Sequence, residues 1–144
     1  MTNEIMITAQ LLLSTLLGGT IGFVREREKK SAGLRTHILV CVGSTLFMMI
    51  SIYMSQMYSG DASRIAAQVV TGIGFLGAGT ILQAGKEVRG LTSAASIWVA
   101  AAIGMSVGCG FYVAAVICTV IVLVIVEILR EFEKRYIRPD KDSY

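Results

Sequence analysis

Arg64-Ile-Ala-Ala-Gln-Val-Val-Thr-Gly-Ile-Gly-Phe-Leu-Gly-Ala-Gly79 opens an apolar run that continues to Ala84. Inside it, Gly72-Ile-Gly-Phe-Leu-Gly77 matches the dinucleotide-binding pattern G-x-G-x-x-G, but that fingerprint needs a strand before the glycines and a soluble βαβ unit around them. Here they lie within a run long enough to cross a hydrocarbon core, which takes about 20 residues at 1.5 Å each. The stretch is read as a membrane helix, and no cofactor is expected. Gly72, Gly74, Gly77 and Gly79 each cost roughly 1 kcal/mol of helix propensity relative to alanine, so a compensating gain is expected. Two gains are open: close helix packing, or a locally unwound stretch lining a polar cavity. Gly18/Gly22 and Gly104/Gly108 add small-residue pairs at i, i+4 on other helices and favour packing.

Outward from this run, similar stretches lie near residues 5–24, 36–54, 91–107 and 111–129, with 65–84 the third in chain order. The 91–107 run sits at the short end of the spanning range, about 17 residues, and a re-entrant segment is its alternative. A mean hydropathy of +0.68 and a charged share of 16% fit a chain whose apolar residues face lipid, since soluble domains carry about 25% charged residues. The expected fold class is an all-α membrane protein: a compact bundle of five transmembrane helices over residues 1–130, followed by a charged tail at 131–144.

The basic residues orient the bundle. Arg25, Arg27, Lys29, Lys30 and Arg35 fall in the first connection, Lys86 and Arg89 in the third, and Arg130, Lys134, Arg135, Arg138 and Lys141 in the tail, leaving Arg64 alone on the other side. Lys and Arg concentrate in cytoplasmic loops, so five spans with the N-terminus outside and the C-terminus in the cytoplasm account for the split. The same confinement to loops makes the net charge of +3 a membrane-orientation signal, and no nucleic-acid partner is expected. The N-terminal run lacks a basic leader and carries Glu4, so it is read as a retained first helix. No internal repeat is evident.

Polar residues at membrane depth are few. Gln68 lies one turn from Arg64 on the same helix face, and the pair reads either as an interfacial cation with an interhelical hydrogen bond or as part of an ion or solute path. Arg25 and Glu26 end the first span, while Arg35, Thr36 and His37 open the second, so a short turn gathers them at one membrane surface. Anchoring to anionic headgroups is one role for such a cluster; a docking surface or gate is the other. Glu127 is the one carboxylate near a span end in the fifth run, which leaves few ligands for a dehydrated divalent cation, and no metal site is expected. His37 is the sole histidine, and no nucleophile motif accompanies it, so no catalytic residues and no enzymatic activity are expected. Cys41, Cys109 and Cys118 show neither a C-x-x-C pair nor metal-ligand spacing and read as small packing residues.

These motifs resemble the MgtC/SapB family of bacterial membrane proteins. The resemblance rests on the Arg64–Gly79 segment, on Gly18 through Ile21-Gly22 to Arg25-Glu26, on Ala32-Gly-Leu-Arg-Thr-His37, and on Gly90-Leu-Thr-Ser-Ala-Ala-Ser-Ile-Trp98 followed by Ala101-Ala102 and Gly104. It covers roughly residues 15–110. The resemblance implies a five-span bacterial inner-membrane protein linked to growth under magnesium limitation or acid stress and, in pathogens, to virulence. It also implies modulation of membrane energetics through a membrane partner such as the ATP synthase. By motif match it marks Arg25, Glu26, Arg35, His37, Arg64, Gln68 and the third-span glycines as candidate functional positions. Ser93 stands where the family commonly has threonine, keeping the hydroxyl. The chain ends at Tyr144 where many members continue into a soluble domain, and is read as a short form, the alternative being a piece of a longer chain.

The expectation is thus a non-enzymatic modulator acting through small-residue helix faces, as a homo-oligomer or with another membrane protein, within the lipid bilayer. The rival is a small cation transporter or channel whose polar path runs past Arg64 and Gln68.

Overall fold

The computed structural model describes residues 2–58, 60–84 and 87–129; the charged tail, with Arg130 and Pro139, and Lys86 lie outside them. Five α-helices run through the described residues: α1 (Thr2–Arg27), α2 (Leu34–Tyr58), α3 (Ser63–Ala78), α4 (Leu91–Gly108) and α5 (Tyr112–Leu123). The last continues with π-type hydrogen bonding over Val124–Leu129. α1, α2 and α4 are long and apolar enough to cross a membrane, and Tyr112–Ile128 forms a shorter apolar helix.

Local chemistry explains the ends. α1 starts with Glu4 in its first turn and closes with Arg25 and Arg27 in its last, both favourable against the helix dipole. Lys29 takes a left-handed φ of 53°, and the amides of Lys30 and Lys29 return to the carbonyls of Arg25 and Glu26, a Schellman closure that reverses the chain. Glu26 Oε2 then accepts the Leu34 amide at 2.9 Å and starts α2. The same closure recurs after α4, where Gly110 adopts φ 82° and the amides of Phe111 and Gly110 return to Ser106 and Val107.

The fold is helical as expected apart from one short strand pair, which interrupts the third expected span, 65–84. α3 holds 16 residues, about 24 Å at 1.5 Å rise, and stops at Ala78. Thr80 Oγ1 donates back to the Gly77 carbonyl at 2.8 Å and draws the chain out of the helix. Two short antiparallel strands follow, β1 (Leu82–Ala84) and β2 (Glu87–Arg89), paired Leu82 to Arg89 and Ala84 to Glu87. Gly90 closes the base of this hairpin with φ 91°, and a Cβ there would collide with the Thr80 carbonyl.

The helices assemble around α4, which packs against each of the other four, while α1 and α2 form a long antiparallel pair. One buried cluster joins Leu17, Ile21, Cys41, Ile103 and Val107 to Ala115 and Val122 of α5; a second joins Val40 and Ile73 to Ile97, Ala100 and Ala101. Glycines set the closest approaches. Cβ atoms on Gly18 and Gly22 would fall 2.7 Å from the His37 carbonyl and 2.8 Å from Leu34 Cα. Cβ atoms on Gly104 and Gly108 would strike the carbonyls of Cys41 and Thr45. Lipid gives helices no hydrophobic drive toward one another, so such bare backbone contacts supply the van der Waals attraction. The opposite surfaces carry Leu12, Leu16, Leu39, Val113 and Ile117 exposed, as an apolar solvent allows.

Candidate functional site

Two polar clusters stand out, at opposite ends of α2. At its start, the turn between α1 and α2 brings Arg25 and His37 together as the sequence implies, but both are buried, at 2% and 0% exposure, instead of facing headgroups. Each has one partner on α4. Arg25 Nη2 donates to Ser93 Oγ at 2.8 Å, and Arg25 lies 3.6 Å from Glu28 across one helical turn. His37 Nδ1 donates to the Gly33 carbonyl at 2.8 Å, which fixes the proton on that nitrogen because a carbonyl can only accept. His37 Nε2 stands 3.1 Å from Ser96 Oγ, and Ser96 also faces the Ser93 carbonyl at 2.9 Å. The single Ser96 hydroxyl proton is therefore shared between an imidazole nitrogen and a backbone carbonyl. Around this network Glu26 remains exposed while serving the α2 amide, and Arg35 is exposed.

Ser93 and Ser96 entered the sequence reading only inside the Gly90–Trp98 motif, Ser93 also as a departure from a threonine, and neither was marked as a functional candidate. Two hydroxyls at i, i+3 on a mostly apolar helix were the available signal. Deeper polar residues also went unmarked: Gln10 donates to the Val107 carbonyl at 2.8 Å, and Thr45 Oγ1 faces the carbonyls of Cys41 and Gly104 at 2.9 and 2.8 Å.

At the far end of α2, Arg64 and Gln68 are exposed and line one cavity of about 760 Å³ together with Ser51, Ser55, Tyr58 and Asp61. Asp61 accepts from the Ser63 amide and hydroxyl, each at 2.8 Å, and these donors hold its carboxyl below the usual range. Next to the cavity, α2 and α3 are separated by an apolar groove of about 410 Å³ that Gln68 also lines.

The third-span glycines do not act as a set. Gly77 packs on Ala94 of α4, and Gly79 ends the helix. Gly72 faces the groove toward α2, and Gly74 lies about 200° around the helix from it. A Cβ on either would meet nothing within 4 Å, so neither serves packing inside the chain. Gly74 shares its face with exposed Ala67, Thr71 and Ala78, spaced i, i+4, i+7, i+11. α3 is unbroken from Ser63 to Ala78, so no unwound stretch lies at Gly72–Gly77. Among the described residues no three His, Cys, Asp or Glu side chains converge.

The model of the MgtC family matches residues 11–135. The protein named "Putative magnesium transporter YhiD" of Escherichia coli (strain K12) is 46% identical over 141 residues, covering 94% of this chain and 65% of that protein. Protein MgtC of Brucella abortus (strain 2308) is 47% identical over 117 residues, 80% of this chain and 48% of that protein. Protein MgtC of Salmonella typhimurium (strain 14028s / SGSC 2262) is 45% identical over 125 residues, 87% and 53% respectively. The chain thus spans about half to two thirds of the length of the curated relatives it matches. No solved structure gives a significant match.

Proposed function

Because the chain belongs to the MgtC family, we propose that it is a non-enzymatic, multi-pass protein of the bacterial inner membrane. In this reading it crosses five times with the N-terminus outside and acts in adaptation to low magnesium or acid stress. It works by docking: a helix of another membrane protein, or of a second copy, seats on the outer face of α3 and so modulates membrane energetics, the ATP synthase being one candidate partner. The observation that carries this reading is the open face of Ala67, Thr71, Gly74 and Ala78 on an unbroken helix, where small residues leave the backbone accessible to a partner helix. Virulence in a pathogenic host belongs to the same proposal.

The test is Gly74→Leu in cells grown at low magnesium, with co-purification of membrane partners. Lost growth support and lost partner recovery support docking; wild-type behaviour in both removes α3 as the docking face. Gly77→Leu is not equivalent, because Gly77 packs on α4.

A second reading is a cation transporter with its path past Arg64 and Gln68, favoured by the 760 Å³ cavity these residues line and by the transporter name of the Escherichia coli relative. Flux of Mg²⁺, K⁺ or H⁺ into proteoliposomes that falls in Gln68→Leu supports it; folded, inserted protein without flux rejects it.

A further inference from the structure

The cavity at Asp61 and Arg64 and the groove between α2 and α3 are parts of one recess, because Ile65 and Gln68 line both. The recess changes character along its length. Its mouth carries Ser55, Tyr58 and Ser63 beside the two charged residues; its continuation is walled by Leu39, Phe47, Val69 and Leu76. From Ile65 to Leu76 the groove follows α3 for roughly 16 Å, about half of a 30 Å hydrocarbon core and so the depth of one leaflet. Gly43 of α2 and Gly72 of α3 line it, and a Cβ on either would meet nothing within 4 Å. These glycines widen a slot, whereas Gly18, Gly22, Gly104 and Gly108 let helices close together.

We propose that this recess is a phospholipid site: one acyl chain lies in the groove between α2 and α3, and a phosphoethanolamine headgroup sits at Asp61 and Arg64. The inference rests on the bilayer placement proposed above and adds a specific ligand to it. Charge selects the headgroup. Asp61, just before α3, and Arg64, in its first turn, carry opposite charges that act on one another, yet no salt bridge joins them among the described residues. The mouth therefore offers one cation for a phosphate and one carboxylate for an ammonium. Each Asp61 oxygen already accepts one bond from Ser63 and retains a lone pair for an N–H donor. An anionic headgroup would leave Asp61 facing negative charge, and a quaternary ammonium has no N–H to give it.

The test is native mass spectrometry of the full chain released from micelles holding equal amounts of phosphatidylethanolamine, phosphatidylcholine and phosphatidylglycerol with identical acyl chains. Wild-type protein is expected to retain phosphatidylethanolamine about fivefold over the other two, the scale of one solvent-exposed hydrogen bond. Asp61→Asn should reduce it to the phosphatidylcholine level. Arg64→Gln should lower both zwitterionic lipids together. Gly72→Leu should lower retention of all three with unchanged helical circular dichroism; should that variant fail to fold, Gly43→Leu fills the same slot from α2. Equal retention of the three lipids by wild-type protein, a preference for phosphatidylglycerol, or full retention in the folded groove-filling variant overturns the proposal. Loss of lipid preference in protein that still docks its partner through α3 would overturn this inference alone.

Discussion

The Arg25 guanidinium donates through Nη2 to Ser93 Oγ at 2.8 Å, joining the last turn of α1 to the first turn of α4 in a region where neither side chain is exposed. Ser93→Ala takes an acceptor from a buried charged donor and should cost about 1–3 kcal/mol. Ser93→Thr keeps the hydroxyl and should cost less. Thermal unfolding of the purified protein in one detergent, followed by circular dichroism, gives the order; equal loss in both variants would mean that packing, not the hydrogen bond, matters there.

Glycine substitutions should divide by helix face. Gly104→Ala drives a methyl into the Cys41 carbonyl and should destabilise by about 1–3 kcal/mol or more, as overpacking does. Gly74→Ala meets nothing and should be neutral or stabilising by up to about 1 kcal/mol through helix propensity. In the same detergent the unfolding midpoint should fall for Gly104→Ala and hold or rise for Gly74→Ala.

At Gly90, φ 91° and the nearby Thr80 carbonyl both reject a side chain. Gly90→Ala should cost about 1–2 kcal/mol from the backbone conformation, before the collision is counted. Its effect should be local, with faster amide exchange in Leu82–Arg89 than in α1. Uniform acceleration across the bundle would show that the hairpin is not a separate unit.

Asp61 supplies a pH dependence whose sign follows from its partners. Its carboxyl titrates lower in the folded chain because Ser63 donates to the ionised form. Its contribution to stability is present above the ordinary aspartate value of 3.8 and is lost as pH falls through the depressed folded value. In Asp61→Asn this increment should be missing, so the wild-type and variant unfolding midpoints should converge on acidification. A constant difference from neutral to acidic pH would assign the effect elsewhere.

The long apolar runs made α1, α2 and α4 legible, because spanning length and the charges at their ends are properties of the chain alone. The end of α3 was not: Ile81, Leu82 and Ala84 continue the apolar pattern, while Thr80 and Gly90 turn the chain through contacts hydropathy does not register. Gly72, Gly74 and Gly77 look like one motif in sequence, but a 100° step per residue sends them to a groove, an open face and a helix contact. Arg25 and His37 were placed at one end by the short turn between their helices. Their burial depends on Ser93 and Ser96, about sixty residues away in sequence, and only the packing of α4 onto the α1–α2 pair reveals it.

Gln10 reaches the Val107 carbonyl near one end of α4, and Arg25 reaches Ser93 near the other. The two donors are about 22 Å apart along α1 and the two acceptors about 21 Å apart along α4, at 1.5 Å per residue. The antiparallel pair is thus pinned like a ruler at both ends, and a piston stroke of even one helical turn would break both pins at once. A motion that keeps both bonds leaves α1 and α4 in register and moves the parts outside that clamp, α3 and its hairpin among them.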